Sequence, residues 1–412
     1  MHNKLSKNPL LTDRLLGQFY ESRRRSTDLV KNLSPEDCQS QSFEDASPAK
    51  WHLAHVTWFY EVMVLKPFEK DFSYWNPQFA VLFNSYYNGV GDKHPRNKRG
   101  LLTRPSLAEV LDWRKNIEAR IATLIEENTS TDFQWLIQLG INHEQQHQEL
   151  LLTDIHNLFF HNSLLPSYSS ENVEPSSRAE AFEWIEGVSG LVKIGFEGTD
   201  FHFDNEGPEH TTFNQIHSIG NQLVTNAQWL LFVQAGGYQQ SEWWLDAGWA
   251  WANAEGISAP LYWNVNEQDQ YCRFSLNGNL PLDPLAPVSN ISYFEADAFV
   301  RWANQNLPKF SGARLPTEFE WEAFAKIHSN LVDDLFGNVW QWTSSNYNPY
   351  PGYQPWGGIA GEYNGKFMVN QMVLRGSSSY TTHGHSSVTY RNFFPTHARW
   401  QMTGLRLAKD GV

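Results

Sequence analysis

The chain has 412 residues, 41% of them hydrophobic and 18% charged, which is more than one hydrophobic core serves, so two globular domains are expected. A formal net charge of -14 opposes nucleic-acid binding and adhesion to an anionic membrane surface. Only two cysteines, Cys38 and Cys272, occur, which excludes a disulfide framework and a cysteine-ligated zinc finger and favours a cytoplasmic setting.

Residues 1–7 are not followed by an apolar core of signal-peptide length, and no run of about 18 apolar residues is present to form a membrane span. Four helices are predicted, at 10–31, 48–66, 106–127 and 131–160. In the third, Leu107, Val110, Leu111, Trp113, Ile117, Ile121 and Leu124 recur close to the 3.6-residue period. The connection from Lys66 to Pro105 is too long for a bundle turn, and such loops are functional or structured on their own account. This half, 1–165, reads as a four-helix bundle with one long excursion. A polar, turn-rich linker over 166–180, with Pro166 and Pro175, leads to a domain of different texture at 181–412. There, 182–195 reads as a short β-hairpin, and short strands alternate with two helices predicted near 225–235 and 292–304. The fold class is α+β. Aromatic residues at 15%, with 18 tryptophans, point to a loop-rich fold pinned by rings.

Two segments carry metal-binding potential. His143 and His147 are four apart on a helix, so they share a face and can grip one ion. The letters His143-Glu144-Gln145-Gln146-His147 also fit the zinc-protease pattern. However, Glu144 points about 100° away from His143. The next residues, Gln148-Glu149-Leu150, do not extend the pattern toward a third zinc ligand. Upstream, Ser47 is placed to cap a helix whose first turn holds Pro48. Trp51, His55, Trp58 and Phe59 fall near one face of that helix, and His52 is assigned to another. On the residues alone, His55 reads as a packed core histidine. In the long loop, Tyr86 and Tyr87 precede a basic run that includes Arg96 and Arg99. By itself this is a pair of anchors beside a solvated charged surface.

The segments Ala313-Arg314-Leu315-Pro316-Thr317-Glu318-Phe319-Glu320-Trp321-Glu322, Phe336-Gly337-Asn338-Val339-Trp340-Gln341-Trp342-Thr343 and Thr403-Gly404-Leu405-Arg406-Leu407 resemble the formylglycine-generating-enzyme-like (sulfatase-modifying factor) domain, whose fold is C-type-lectin-like. The first half resembles a DinB-type bundle, and the fusion resembles the ergothioneine-biosynthesis sulfoxide synthases, the EgtB family. That resemblance implies a non-haem Fe(II) enzyme that uses O2 to join a thiol sulfur to the imidazole of hercynine, the trimethylated histidine. It implies His55, His143 and His147 as iron ligands, Tyr86 and Tyr87 as catalytic candidates, and Arg96 as the partner of the thiol substrate's carboxylate. Gln146, Asn392 and Phe393 match positions that contact hercynine, and Arg391 and Phe394 are further candidate substrate-binding residues. The branch that uses γ-glutamylcysteine carries an Asp and an Arg where this chain has Phe394 and Ala398, which points to cysteine, although Arg399 lies one position away. Alternatives remain: a selenoneine synthase taking a selenosugar, a zinc hydrolase, or a lectin-like binding module. Formylglycine generation is disfavoured because the second half has Cys272 alone. The sequence leaves open whether that half carries a structural Ca2+.

Overall fold

The structure, a computed structural model, describes residues 9–170, 175, 181–329 and 332–411, so most of the expected linker, 171–174 and 176–180, lies outside the described residues. The chain divides into two compact units, Met1–Ser163 and Leu164–Val412.

The first unit is built on α1 (Pro9–Asp28), α2 (Ala49–Phe59), α3 (Leu107–Glu127) and α4 (Thr131–Phe160). Helices α1 and α2 each pack against both α3 and α4. The start of α3 is set by a capping box: the Ser106 side chain accepts the Glu109 N–H, and the Glu109 carboxylate accepts the Ser106 N–H at 2.7 Å. Its apolar stripe, Val110, Trp113, Ile117 and Ile121, is buried. Helix α2 is buried along its whole length, as an apolar helix at a bundle's centre must be.

Two expectations for α2 fail. Ser47 does not cap it: Pro48 is the cap residue and makes no side-chain bond there. The Ser47 hydroxyl instead accepts from Arg99 Nη1 at 2.8 Å, and its N–H donates to Asp154 at 2.8 Å. Nor does the α-helix run on to 66. The backbone widens to a π-helical segment over Tyr60–Leu65 before a short turn at Lys66–Phe68. Tyr60 then lies against Gly140 of α4, where a Cβ would sit 2.6 Å from its ring. Glycine is needed at that close approach, one turn before His143.

The long connection is structured. It holds a short helix, Phe79–Leu82, and a 3₁₀ helix, Arg96–Leu101. Phe79 and Phe83 pack on Trp113, and Trp58 Nε1 donates to the Ala80 carbonyl at 3.0 Å.

The second unit carries β1 (Trp184–Glu186), β2 (Gly190–Ile194), β3 (His210–Asn214), β4 (His217–Leu223), β5 (Trp263–Val265), β6 (Tyr271–Ser275), β7 (Gly278–Pro281), β8 (Ala313–Arg314), β9 (Trp340–Asn346), β10 (Gln371–Gly376), β11 (Asn392–Pro395), β12 (Thr403–Gly404) and β13 (Arg406–Asp410). The sheet orders are β1-β4-β13-β8, β11-β10-β9-β12, β5-β6-β7 and the pair β2-β3. The expected hairpin over 182–195 does not form, because β1 pairs with β4 and β2 with β3, in separate sheets. Four helices join them: α5 (Asn226–Gln234), α6 (Asp246–Ala254), α7 (Tyr293–Asn306) and α8 (Glu318–His328). The sequence reading anticipates α5 and α7 only. Trp321 and Phe324 of α8 pack with Ile219, Leu335 and Ala408 in a buried cluster. Among the described residues no helix is long and apolar enough to cross a membrane. The mixed helix and sheet content is that of an α+β protein.

Candidate metal centre

His55 lies between two indoles of its own helix: it stacks on Trp51 at 4.7 Å and on Trp58 at 5.4 Å. Its Nδ1 is 2.6 Å from the Phe83 carbonyl of the long connection. A carbonyl only accepts, so Nδ1 carries the proton and Nε2 keeps a lone pair. His143 stacks on Phe59 at 4.6 Å, and its Nδ1 is buried with no hydrogen-bond partner. His147 Nδ1 is 2.9 Å from His52 Nδ1. Each of the three histidines offers one ring nitrogen, and these nitrogens all lie within 4.8 Å of one another.

All three rings are held neutral. Burial, then the neighbouring His143, pushes His55 well below the usual imidazole range, against the Phe83 bond. Burial brings His143 down to about 4, with Glu144 opposing. Burial, then His55 and His143, holds His147 well below its ordinary value, although part of its surface faces solvent. Neutral imidazoles are what a metal needs. Three converging ring nitrogens, together with a His143 ring whose Nδ1 has no hydrogen-bond partner, therefore fit a divalent cation with nitrogen preference such as iron or zinc.

Glu144 takes no part in this group. It is fully buried on the side of α4 that meets α1 and α3. There it accepts from Ser26 Oγ at 2.6 Å, from Arg23 Nη1 at 3.0 Å and from Arg114 Nη2. Burial pushes the carboxyl up, but Arg114 and Arg23 outweigh it and hold the group at about 2. Its neighbour one turn on, Gln148, bonds to Ser22 and Ser26 on the same side. One face of α4 thus presents imidazoles to α2, and another ties the helix into the bundle. A carboxylate locked between two guanidiniums is not a zinc protease's general base.

The remaining sequence candidates fall in two places. Tyr87 is buried with its ring 5.5 Å from Trp58, while the Tyr86 hydroxyl accepts from Arg96 Nη1 at 2.8 Å. Arg96 is exposed, and its Nε–Nη2 edge holds the Asp45 carbonyl. Gln146 is partly exposed on α4, beside His147. In the second unit, Asn392, Phe393 and Phe394 lie on β11, half-buried. Phe393 stacks on Tyr347 at 4.1 Å and Phe367 at 5.9 Å. Arg391, just before β11, is held inside the second unit. It is 2% exposed and pairs bidentately with Glu318 at 2.8 and 2.9 Å, and its other donors reach the Asn205 and Asn348 carbonyls. Its guanidinium is spent on the frame.

Sequence reasoning misses three residues. His52, assigned to another face, is only three positions from His55 and hence about 60° round the helix. It touches His147. Asp154, two turns after His147 on α4, lies 2.9 Å from His52 Nε2. Arg99, counted in the solvated run, is 3% exposed, with its guanidinium carbon 3.4 Å from the Trp51 ring centroid and bonds to Ser47 and Ser85. The spacings His52/His55 and His147/Asp154 are visible signals; Arg99 has none.

Residues 169–331 and 327–411 match the family described as sulfatase-modifying factor enzyme 1-like domain, and residues 18–151 match the DinB superfamily. A hercynine oxygenase of Mycolicibacterium thermoresistibile is 27% identical over 96% of this chain and 94% of its own length. One from Mycobacterium tuberculosis is 28% identical over 88% and 91%. A formylglycine-generating enzyme of Streptomyces coelicolor is 30% identical but spans 31% of this chain. The solved structure of PvdO from Pseudomonas aeruginosa covers 55% of this chain and 94% of its own, with 15% identity and a TM-score of 0.36. The chain belongs to the sulfatase-modifying factor enzyme 1-like family, its domain joined to a DinB-superfamily bundle in the two-part architecture of the EgtB proteins.

Proposed function

We propose that this protein is a cytoplasmic, Fe(II)- and O2-dependent sulfoxide synthase that joins the sulfur of cysteine to the imidazole of hercynine in ergothioneine biosynthesis. The observation that carries the reading is the set of three neutral imidazoles in a chain that aligns nearly end to end with hercynine oxygenases. His55, His143 and His147 would hold the iron, which when bound supplies the O2 chemistry and leaves positions open for substrates. Trp51 and Trp58 pack on His55, and Phe59 packs on His143, which buries those two rings.

The protein's own groups then bind and supply protons. A tyrosine of the pair Tyr86 and Tyr87 serves as proton donor. Tyr87 is favoured because its ring stacks on Trp58, which in turn stacks on His55. Arg96 is proposed for the cysteine carboxylate through its Nη1 side, since its other edge is taken by Asp45. Gln146 is proposed to hydrogen-bond hercynine beside His147; Asn392, Phe393 and Phe394 are proposed as substrate-binding residues of the second unit. Phe394 and Ala398 leave no charged pair for a γ-glutamyl group.

The test is turnover by the full chain reconstituted anaerobically with Fe(II). Hercynine with cysteine, γ-glutamylcysteine or a selenosugar is supplied, and O2 uptake and product mass are followed. Hercynylcysteine sulfoxide from cysteine supports the reading. Preference for the selenosugar makes it a selenoneine synthase, and no O2 uptake with any pair overturns it.

A further inference from the structure

Behind His147 lies a buried polar chain that neither the ligand set nor the substrate contacts account for. His52 Nδ1 is 2.9 Å from His147 Nδ1, and His52 Nε2 is 2.9 Å from Asp154 Oδ2. The same carboxylate oxygen accepts the Ser47 N–H at 2.8 Å. Ser47 in turn accepts from Arg99, which also donates to Ser85, next to Tyr86. The His52 ring is nearly buried, with its side chain 4% exposed.

Proton bookkeeping fixes the direction of this chain. A carboxylate oxygen only accepts, so with His52 neutral its Nε2 must carry the hydrogen. Its Nδ1 is then a lone pair. The short contact to His147 is satisfied only if His147 Nδ1 carries the hydrogen and donates it. That leaves His147 with its lone pair on Nε2. The reverse order would set two lone pairs against each other between His52 and Asp154. His55 reaches the same tautomer by a different route, through the Phe83 carbonyl.

We infer that His52 and Asp154 are positioning residues: a carboxylate–imidazole relay that fixes the tautomer and ring plane of His147, so that Nε2 is delivered to the metal. The relay rests on the metal-site reading above. It explains why a histidine stands one turn before His55 on the same helix yet is absent from the group of three. It also does for His147, through two side chains, what a single backbone carbonyl does for His55. Partners of this kind orient ligating histidines and raise their basicity, and losing one typically weakens metal binding by about 10- to 100-fold.

Two measurements on the full chain test it. In metal-free wild-type protein, ¹⁵N NMR of labelled histidine should find His147 protonated on Nδ1; protonation on Nε2 overturns the relay. Competition for Fe(II) or Co(II) against a chromophoric chelator then gives affinities. His52→Leu should bind about 10- to 100-fold more weakly. His52→Asn keeps an acceptor near the Nδ1 position and should recover much of that loss, which general damage to the helix would not. Asp154→Asn should fall between wild type and His52→Leu. Wild-type affinity in His52→Leu overturns the relay while leaving the metal site standing. No binding by wild type overturns the metal site itself. If His52→Leu fails to fold, the wild-type tautomer and the His52→Asn affinity decide.

Discussion

Replacing Glu144 with glutamine separates the two readings of the His-Glu-x-x-His letters. The carboxylate is fully buried and accepts from Ser26, Arg23 and Arg114. Without the Glu144 charge, Glu118 is the one carboxylate left to the two buried guanidiniums among the described residues, at 3.1 Å from Arg23 Nε and 3.2 Å from Arg114 Nε. Removing one partner from a buried ion pair costs about 3–5 kcal/mol. The carboxyl's own titration gives a second figure. Its depression from the ordinary 4.5 to about 2 corresponds to about 3 kcal/mol, at about 1.4 kcal/mol per pH unit. Because the folded value is lowered, this stability is present above about 4.5 and is lost as the pH falls toward 2. With a urea slope of about 2 kcal/mol/M, the Glu144→Gln midpoint should drop by about 1.5 M at pH 7. The gap to wild type should narrow as the pH approaches 3. Circular dichroism during urea unfolding measures both, and metal content follows in parallel. A variant that unfolds like wild type yet is catalytically dead would refute this reasoning and restore Glu144 as a chemical base.

Three further outcomes are expected. Alanine at His55, His143 or His147 in turn should abolish stoichiometric iron, read by metal analysis; full occupancy in His55→Ala would remove His55 from the site. Arg96→Ala should raise the KM for cysteine and leave that for hercynine nearly unchanged; because Arg96 is exposed, a loss of about 1–2 kcal/mol, roughly 5- to 30-fold, is expected. One of Tyr86→Phe and Tyr87→Phe should keep iron and substrate binding but divert turnover from sulfoxide to cysteine sulfinic acid. Product ratios equal to wild type in both variants would end the tyrosine proposal.

What is legible in this sequence is what short-range geometry dictates. The His143/His147 pair follows from helical pitch, and α3 follows from its apolar period; the ends of α3 and α4 match their expected positions to within one residue. Helix α1 was expected to reach 31 but ends at Asp28, giving way to turns through Leu33. The π-helical segment after Phe59 has no local signature, because a widened turn is set by what the helix packs against, here Tyr60 on Gly140. Strand partners are non-local as well. The glycines at 187 and 190 look like a hairpin turn, yet β1 finds its partner at His217–Leu223. Helix α8 was readable in principle: Thr317 and Glu320 form a capping box three apart.

The site divides along the same line. Spacing says which histidines on one helix can meet; it does not say which residue of another helix stands behind them. Periodicity draws one wheel per helix and sorts its positions into faces. Helix α4 has two working polar faces instead of one polar and one apolar, so its wheel looks ambiguous. His143, His147 and Asp154 turn to α2, and Glu144 and Gln148 turn to α1. Both faces are largely buried, and Glu144, Gln148, His147 and Asp154 are tolerated there because each has a fitted polar partner. Arg99 makes the same point from the loop side. A guanidinium in a basic run is solvated by default, and only the flat Trp51 ring, with Ser47 and Ser85 at its edges, draws it inside. The candidate ligands can each be read from a local pattern, but the groups around them come from separate stretches of chain: Phe83 and Arg99 from the long connection, Ser47 and His52 from around the start of α2, and Asp154 from α4.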